Sequence, residues 1–263
     1  MKLLKIVFSL LFLSITFVGQ TKVKITKAEY QNRPQFKIDA KGYTAFFDIQ
    51  GGGFSRLMDN DGNDWIAFKK EPWDKVPESA ASSFRGLPNL VFMQEDGGCG
   101  HPGFYNCTSE MVTKNKIKTI SKSGKWAWEW TFNDNFAELE IIKTDTSRGY
   151  WFLYEGPVGG KYDPKNCLWA NNLHGFQKDL VSLNKSEVIN GNWQWVSFGN
   201  PENKYVFSIV QENQDSYTDF FSWMGNSKDG LDAEDGMVVF GFGRDKKPLL
   251  KGTNKYKIGF QKI

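Results

Sequence analysis

The stretch FRGLPNLVFMQEDGGCGHPGFYNC, from Phe84 to Cys107, gathers residue types that are scarce elsewhere in the chain. It holds Arg85, His101 and two of the three cysteines, Cys99 and Cys107, among glycines and prolines. An arginine presents a planar fork of donors that matches a carboxylate. An unperturbed imidazole changes charge near neutral pH, so His101 can take or give a proton. The chain has only two histidines, and His174, in NNLHGF, is the one rival for that role. Each also has a plain structural use: the arginine can brace a turn, and either histidine can satisfy a loop carbonyl. Taken together, the types predict a rim that grips an anionic ligand and moves a proton on it.

A second segment, WFLYEGPVGGKYDP, adds Tyr154, Glu155, Lys161 and Tyr162. Strand alternation sends Tyr154 and Glu155 to opposite faces, so the two are not expected to act together. Tyr154 can donate a proton, or serve as base if a nearby cation lowers its pKa. Glu155 can serve as a base, and Lys161 can meet a carboxylate or sulfate. These residues suit an acidic sugar. Removing the C5 proton of a uronate demands a cation or hydrogen bonds on the carboxylate, a base at C5 and an acid for the group leaving C4. Arg85 with Asn89 can hold the carboxylate, His101 can be base or acid, and Tyr154 can complete the set. Loss of a sugar from C4 would make a lyase and loss of water a dehydratase; residue types do not separate the two.

Short alternating runs must position these groups. KWAWEWTF places Trp126, Trp128 and Trp130 on one face, and NKYKIGFQKI does the same with Tyr256, Ile258 and Phe260. YTAFFDI, AELEIIKT, GYWFLYEG, NWQWVSF and KYVFSIVQE are likewise aromatic or β-branched and bounded by Gly, Asn, Asp or Pro. Asp61-Gly62, Ser123-Gly124, Asp229-Gly230 and Asp235-Gly236 punctuate them as turns. VPESAASSF is the one short helical candidate. The pattern predicts an all-β chain, a large antiparallel β-sandwich. Trp126, Trp128 and Trp130 form one indole stripe and Trp193 and Trp195 another; one is expected to be core and the other open to a ligand, with Trp130 a stacking candidate.

The first residues, MKLLKIVFSLLFLSITFVGQ, pair two lysines with a short apolar run, the pattern of a secretory signal. The run is shorter than the roughly 20 residues of a membrane span. Residues 1–20 are therefore expected to be removed, leaving residues 21–263 as a single exported domain, secreted or periplasmic, with no membrane insertion. Without Lys2 and Lys5 the formal charge of +3 falls to about +1, which argues against a nucleic-acid partner. An exported location permits a disulfide, and Cys99 and Cys107 are the pair expected if one forms. No metal-ligand spacing is present, and the lone Gly-x-Gly of FGFGR lacks the strand-turn-helix context of a dinucleotide fingerprint, so neither metal nor cofactor is expected.

YTAFFDIQGGGFSRLMDNDGNDWIAF reads as a strand, a glycine-rich bend, a strand, an Asp-Gly turn and a third strand. That pattern resembles the opening of the galactose-mutarotase-like β-supersandwich, a fold of aldose epimerases and of domains in polysaccharide lyases and glycoside hydrolases. FRGLPNLVF, HPGF and YWFLYEGPVGG are similar to segments of exported bacterial proteins of polysaccharide breakdown, among them the small dehydratases acting on ulvan oligosaccharides. The resemblance implies a carbon–oxygen lyase, a dehydratase acting on a terminal uronate of an acidic oligosaccharide. Two alternatives stand beside it. One is an aldose mutarotase or epimerase using Glu155, or a later acid such as Glu212, with a histidine. The other is a noncatalytic carbohydrate-binding module using the tryptophans.

Overall fold

The computed structural model describes residues 22–68, 86–91, 107–157, 166–178, 181–224 and 237–263. The chain opens with an antiparallel meander of β1 (Lys24–Tyr30), β2 (Arg33–Asp39), β3 (Thr44–Asp48) and β4 (Gly53–Met58). β5 (Asn89–Val91) follows, then β6 (Thr108–Thr113), β7 (Lys116–Ile120), β8 (Ala127–Phe132) and β9 (Phe136–Lys143) as successive hairpins. β10 (Trp151–Gly156) pairs with β5. The remaining strands are β11 (Leu168–Asn171), β12 (Ile189–Gly191), β13 (Trp195–Gly199), β14 (Tyr205–Gln211), β15 (Asp219–Met224), β16 (Met237–Phe242) and β17 (Lys255–Lys262). Among the described residues the one helical element is the 3-10 turn Leu183–Lys185. The strand pairings are antiparallel throughout.

The strands form three sheets: β1-β2-β3-β4, β12-β15-β16-β10-β5, and β11-β13-β14-β17-β9-β8-β7-β6. Reciprocal backbone bonds between Phe54 and Leu87, 2.8 and 3.0 Å, stitch β4 to the chain just ahead of β5. The two smaller sheets thus continue one another as a front layer, and the eight-stranded sheet is the back layer. Aromatic rings fill the space between them. From the front, Phe54 meets Trp130 of the back sheet at 4.5 Å between ring centroids, Phe152 meets Tyr256 at 4.2 Å, and Phe221 meets Trp169 at 4.4 Å. This is sheet-on-sheet packing, with every second residue of each strand committed to the interior. The back sheet's other face carries charges, with Lys255 paired to Glu140 and Lys116 to Glu129, as a solvated face requires.

The expected strands form where alternation put them: YTAFFDI contains β3, KWAWEWTF β8, AELEIIKT β9, GYWFLYEG β10, NWQWVSF β13, KYVFSIVQE β14 and NKYKIGFQKI β17. The indole stripe of Trp126, Trp128 and Trp130 is core, each ring at most 1% exposed. Trp130 packs on Phe47, Phe54 and Phe132, and so it offers no stacking face to a ligand, contrary to expectation. The helical candidate VPESAASSF and the turns Asp229-Gly230 and Asp235-Gly236 lie outside the described residues.

Two buried carboxylates shape the opening pattern. Asp48 ends β3 and accepts from Arg33 Nε at 2.7 Å, Gln35 Nε2 at 3.0 Å and the backbone N–H groups of Gln50 and Gly51, pinning the glycine-rich bend. Asp59 accepts from the N–H groups of Asp61 and Asn63 and from Trp65 Nε1 at 3.0 Å, closing the Asp-Gly turn. That last bond draws Trp65 fully inside. The expected third strand therefore shrinks to a single bridge, Met58 to Asp64, before the chain turns toward β10, where the Ala67 N–H reaches the Glu155 carbonyl at 3.1 Å.

Gly52 closes the bend at φ +72°, and its carbonyl accepts the Trp128 indole N–H at 2.6 Å. A Cβ there would stand 2.5 Å from Trp128 Cζ2 and 2.6 Å from Thr119 Cγ2. Left-handed backbone costs an L-residue about 1–2 kcal/mol and overpacking adds about 1–3 kcal/mol. Gly52→Ala is therefore expected to lower unfolding stability by roughly 2–5 kcal/mol, read from the urea midpoint. A midpoint equal to the parent's would show that the bend does not rest on the indole.

Candidate functional site

Because one face of the front layer is spent on the core, its opposite face is where chemistry must sit. The register of β10 sets the division. Phe152 and Tyr154 pair with Phe242 and Phe240 and enter the core, whereas Leu153 and Glu155 pair with Gly241 and Val239 on the outer face. On β5, Asn89 lies opposite Leu153 and joins the outer face, and on β15 Phe220 lies opposite Gly241. The outer face thus carries Asn89 from β5, Trp151 and Glu155 from β10 and, across β16, Phe220 from β15.

Asn89 is fully buried, and its Nδ2 donates to Glu155 Oε2 at 3.5 Å; Glu155 is itself 2% exposed. Arg244 is the third polar member. It follows β16 directly and turns back across it, its guanidinium carbon 4.0 Å from the Phe220 ring centroid and 5.0 Å from that of Trp151. Gly241 makes the return possible. A Cβ at that position would come within 3.0 Å of both Cβ and Cδ of Arg244 and 2.8 Å of Leu153 Cδ2. Burial pulls the Arg244 guanidinium down to about 10, while the negative charge of Glu155 opposes that shift. The side chain remains cationic at neutral pH, held between two π faces that favour a cation.

Asp219, the first residue of β15, holds this corner in place. It is 1% exposed, and its two oxygens accept the N–H of Trp193 at 2.7 Å and of Gly243 at 2.9 Å. One of those donors immediately precedes Arg244, and the residue after Asp219 is the ring beneath the guanidinium. Burial pushes the Asp219 carboxyl up to about 7, with the charge of Asp215 adding to the shift and the two N–H donors opposing it.

The expected site residues divide sharply. Asn89 and Glu155 share the outer face as described. Tyr154 does not join them: it is fully buried, donates its hydroxyl to the Trp65 carbonyl at 2.7 Å and packs on Phe198 and Phe207. Burial raises its phenol well above the ordinary value, so the expectation of a tyrosine acid or base is corrected. His174 sits in an exposed loop after β11, at the edge of the back layer, its N–H on Asn171 Oδ1. It belongs to a different sheet from Glu155. Glu212 is committed to Lys257, which β17 carries in the back sheet. Arg85, His101, Lys161 and Cys99 lie outside the described residues; Cys107, the expected partner of Cys99, is buried. Among the described residues no group of three or more His, Cys, Asp or Glu is arranged for a metal ion. Arg244, Trp151, Phe220 and Asp219 were not anticipated. The available signal was an arginine following the alternation of VVFGFG, whose phenylalanines take the core positions.

The carboxyl shift of Asp219 has a consequence for stability. A folded-state value raised above the unfolded one of 3.8 means stability is greatest below that value and is lost as pH rises through about 7. Denaturation of the parent and of Asp219→Asn from pH 4 to pH 8 is expected to show the parent's advantage shrinking with rising pH, by roughly 2–4 kcal/mol. A constant difference would place the titration elsewhere.

No family model matches the chain, and no curated protein matches it in sequence. Solved structures do match in shape. The protein HI1317 superposes with a TM-score of 0.61 at 10% identity, over 92% of this chain and 100% of the other. A candidate mutarotase, YeaD, from Salmonella typhimurium gives 0.57 at 11% identity, over 93% and 96%. A galactose mutarotase related enzyme from Lactobacillus acidophilus gives 0.54 at 10%, over 86% and 97%. At these identities the likeness is one of architecture, spanning nearly the whole of both chains. The chain has the galactose-mutarotase-like β-sandwich fold.

Proposed function

We propose that the protein is a carbohydrate-active enzyme that binds a sugar on the outer face of the front layer and works there by acid–base chemistry of the aldose-epimerase kind. The observation that carries this reading is Glu155: a carboxylate near the end of β10, 2% exposed, bonded to Asn89 and acting by its charge on Arg244. Solved structures described as mutarotases and as mutarotase-related enzymes share the architecture, which supports the sugar as ligand class. Ring opening of an aldose needs a base on the anomeric hydroxyl and an acid on the ring oxygen. Glu155 takes the proton of O1, the C1–O5 bond breaks as the carbonyl forms, and an acid protonates O5. Rotation about C1–C2 and the reverse steps give the other anomer. His101 is proposed as that acid, being the histidine of the segment that follows β5 in the chain.

A second reading, β-elimination on a uronate, is favoured by one specific feature, the Arg244 guanidinium on which the charge of Glu155 acts. There the same carboxylate would take the C5 proton while the electron pair expels the C4 substituent, a sugar in a lyase or water in a dehydratase. An acidic oligosaccharide of the ulvan type would then be the substrate. Arg85, Lys161 and His101 would act on it as the sequence suggests.

Polarimetry tests the first reading. The parent protein is expected to speed equilibration of freshly dissolved α-glucose or α-galactose, and Glu155→Gln to slow it by about 10²–10⁴-fold with an unchanged melting temperature. Unaltered rates in the variant would remove Glu155 from the chemistry. Appearance of the unsaturated-uronate chromophore from ulvan oligosaccharides, with no effect on aldoses, would favour elimination instead.

A further inference from the structure

A strand at the end of a sheet leaves the N–H and C=O groups of its outer side unpaired, and natural sheets guard such ends against other chains. Most sheet ends here are guarded. β1 carries Lys24 and Lys27, β5 and β12 are three residues long, and β11 is covered by Gln177, which exchanges backbone bonds of 3.1 and 2.8 Å with Trp169. β6 closes the eight-stranded sheet on its other side and has none of these guards. It is six residues long, contains neither lysine nor proline, and holds Thr108 to Met111 in continuous register with Ile117 to Ile120 of β7. Its one irregularity comes at the far end, a register shift between Met111 and Thr113 that leaves Val112 without a partner on β7. Among the described residues no other segment pairs with β6.

The side chains at this end are apolar where a solvated strand would be polar. Met111 is 43% exposed, Val112 42%, and Ile120, opposite Thr108 on β7, 40%. Large apolar side chains exposed together mark a contact surface. Opposite charges bracket the apolar pair, Glu110 before it and Lys114 after it. Both are exposed, and neither is in an ion pair among the described residues. A second β6 laid antiparallel and centred on Val112 sets Glu110 of each copy opposite Lys114 of the other. The patch is thus complementary to itself, which is the condition for a two-fold interface. We infer that β6 is the contact through which two copies of this chain join edge to edge, so that their eight-stranded back layers run on as one sheet. Backbone hydrogen bonds supply attraction, Met111 and Val112 supply burial, and the two symmetry-related charge pairs fix the register. The inference does not depend on the sugar reading, since β6 belongs to the back layer and the candidate site to the front layer. Pairing of one short strand buries less than the roughly 1,200–2,000 Å² of a standard interface, so the dimer is expected to dissociate on dilution.

Sedimentation equilibrium of the purified protein tests this. The mass is expected to rise from one chain toward two between about 1 and about 300 μM. Glu110→Lys and Lys114→Glu each set like charges opposite one another, and each is expected to weaken dimerisation by about tenfold or more. The double variant E110K/K114E restores the complement and is expected to dimerise as the parent does. An equimolar mixture of the two single variants is expected to form a mixed dimer, because each supplies the charge the other lacks. Both residues are exposed, so the variants are expected to melt at the parent's temperature. A parent that stays a single chain over the whole range overturns the inference and leaves β6 to an extended segment of a different protein; that arm needs no variant. A dimer that ignores both single substitutions, or that the double variant fails to restore, overturns it as well. So does growth beyond two chains, the mark of a head-to-tail contact.

Discussion

The two layers share one interior, and that interior claims alternate residues of every strand that crosses it. On β10 the consequence is direct. Tyr154 and Phe152 pack against the aromatic side chains of the back sheet, which turns Glu155 and Leu153 the other way. A slip of one residue would send the carboxylate between the layers among phenylalanines and turn the tyrosine to the opposite face. The hydrophobic contact between layers therefore does more than hold the sandwich shut: it decides which of two adjacent titratable groups enters the core and which takes the opposite face.

Polar groups then fix what the hydrophobic contact leaves loose. Asp48 and Asp59 close the two bends of the first meander, each carboxylate satisfying several donors that burial would otherwise strand. Asp219 does the same at the far side of the front layer, tying the start of β15 to the end of β16 and to Trp193. These anchors lie at the ends of strands, where the ladder gives out and the direction of the chain would be free. They explain how a segment as short as Gly241 to Arg244 can return a long cationic side chain across its own strand. The candidate site is thus a product of sheet register and three carboxylate-pinned corners.

Much of the architecture was legible in the chain as written. Alternation located β3, β8, β9, β10, β13, β14 and β17, and the opening pattern of strand, bend and Asp-Gly turn is present as read. The failures have a common cause. Trp130 was weighed as a stacking surface and Tyr154 as a proton donor, because a strand's period of two says which residues share a face without saying which face is inside. The third strand of the opening pattern was lost to the Trp65–Asp59 bond, a side-chain contact that propensity does not register. Arg244 is not legible in the sequence as a member of this face because its partners, Phe220 and Trp151, lie far from it in sequence.

What the sequence by itself determined is therefore the class of structure and the chemistry available: an antiparallel sandwich, rich in rings, with a carboxylate and a tyrosine necessarily on opposite faces of one strand. Those properties depend on local periodicity and residue type, which neighbours in the chain suffice to establish. Only the tertiary structure decided that Glu155 is the member of that pair turned away from the space between the layers, that the indole stripe of β8 is core, and that Arg244 comes to lie over Trp151 and Phe220. Each of these depends on contacts between strands distant in sequence, and the free energy that selects them comes from burying two particular faces against each other.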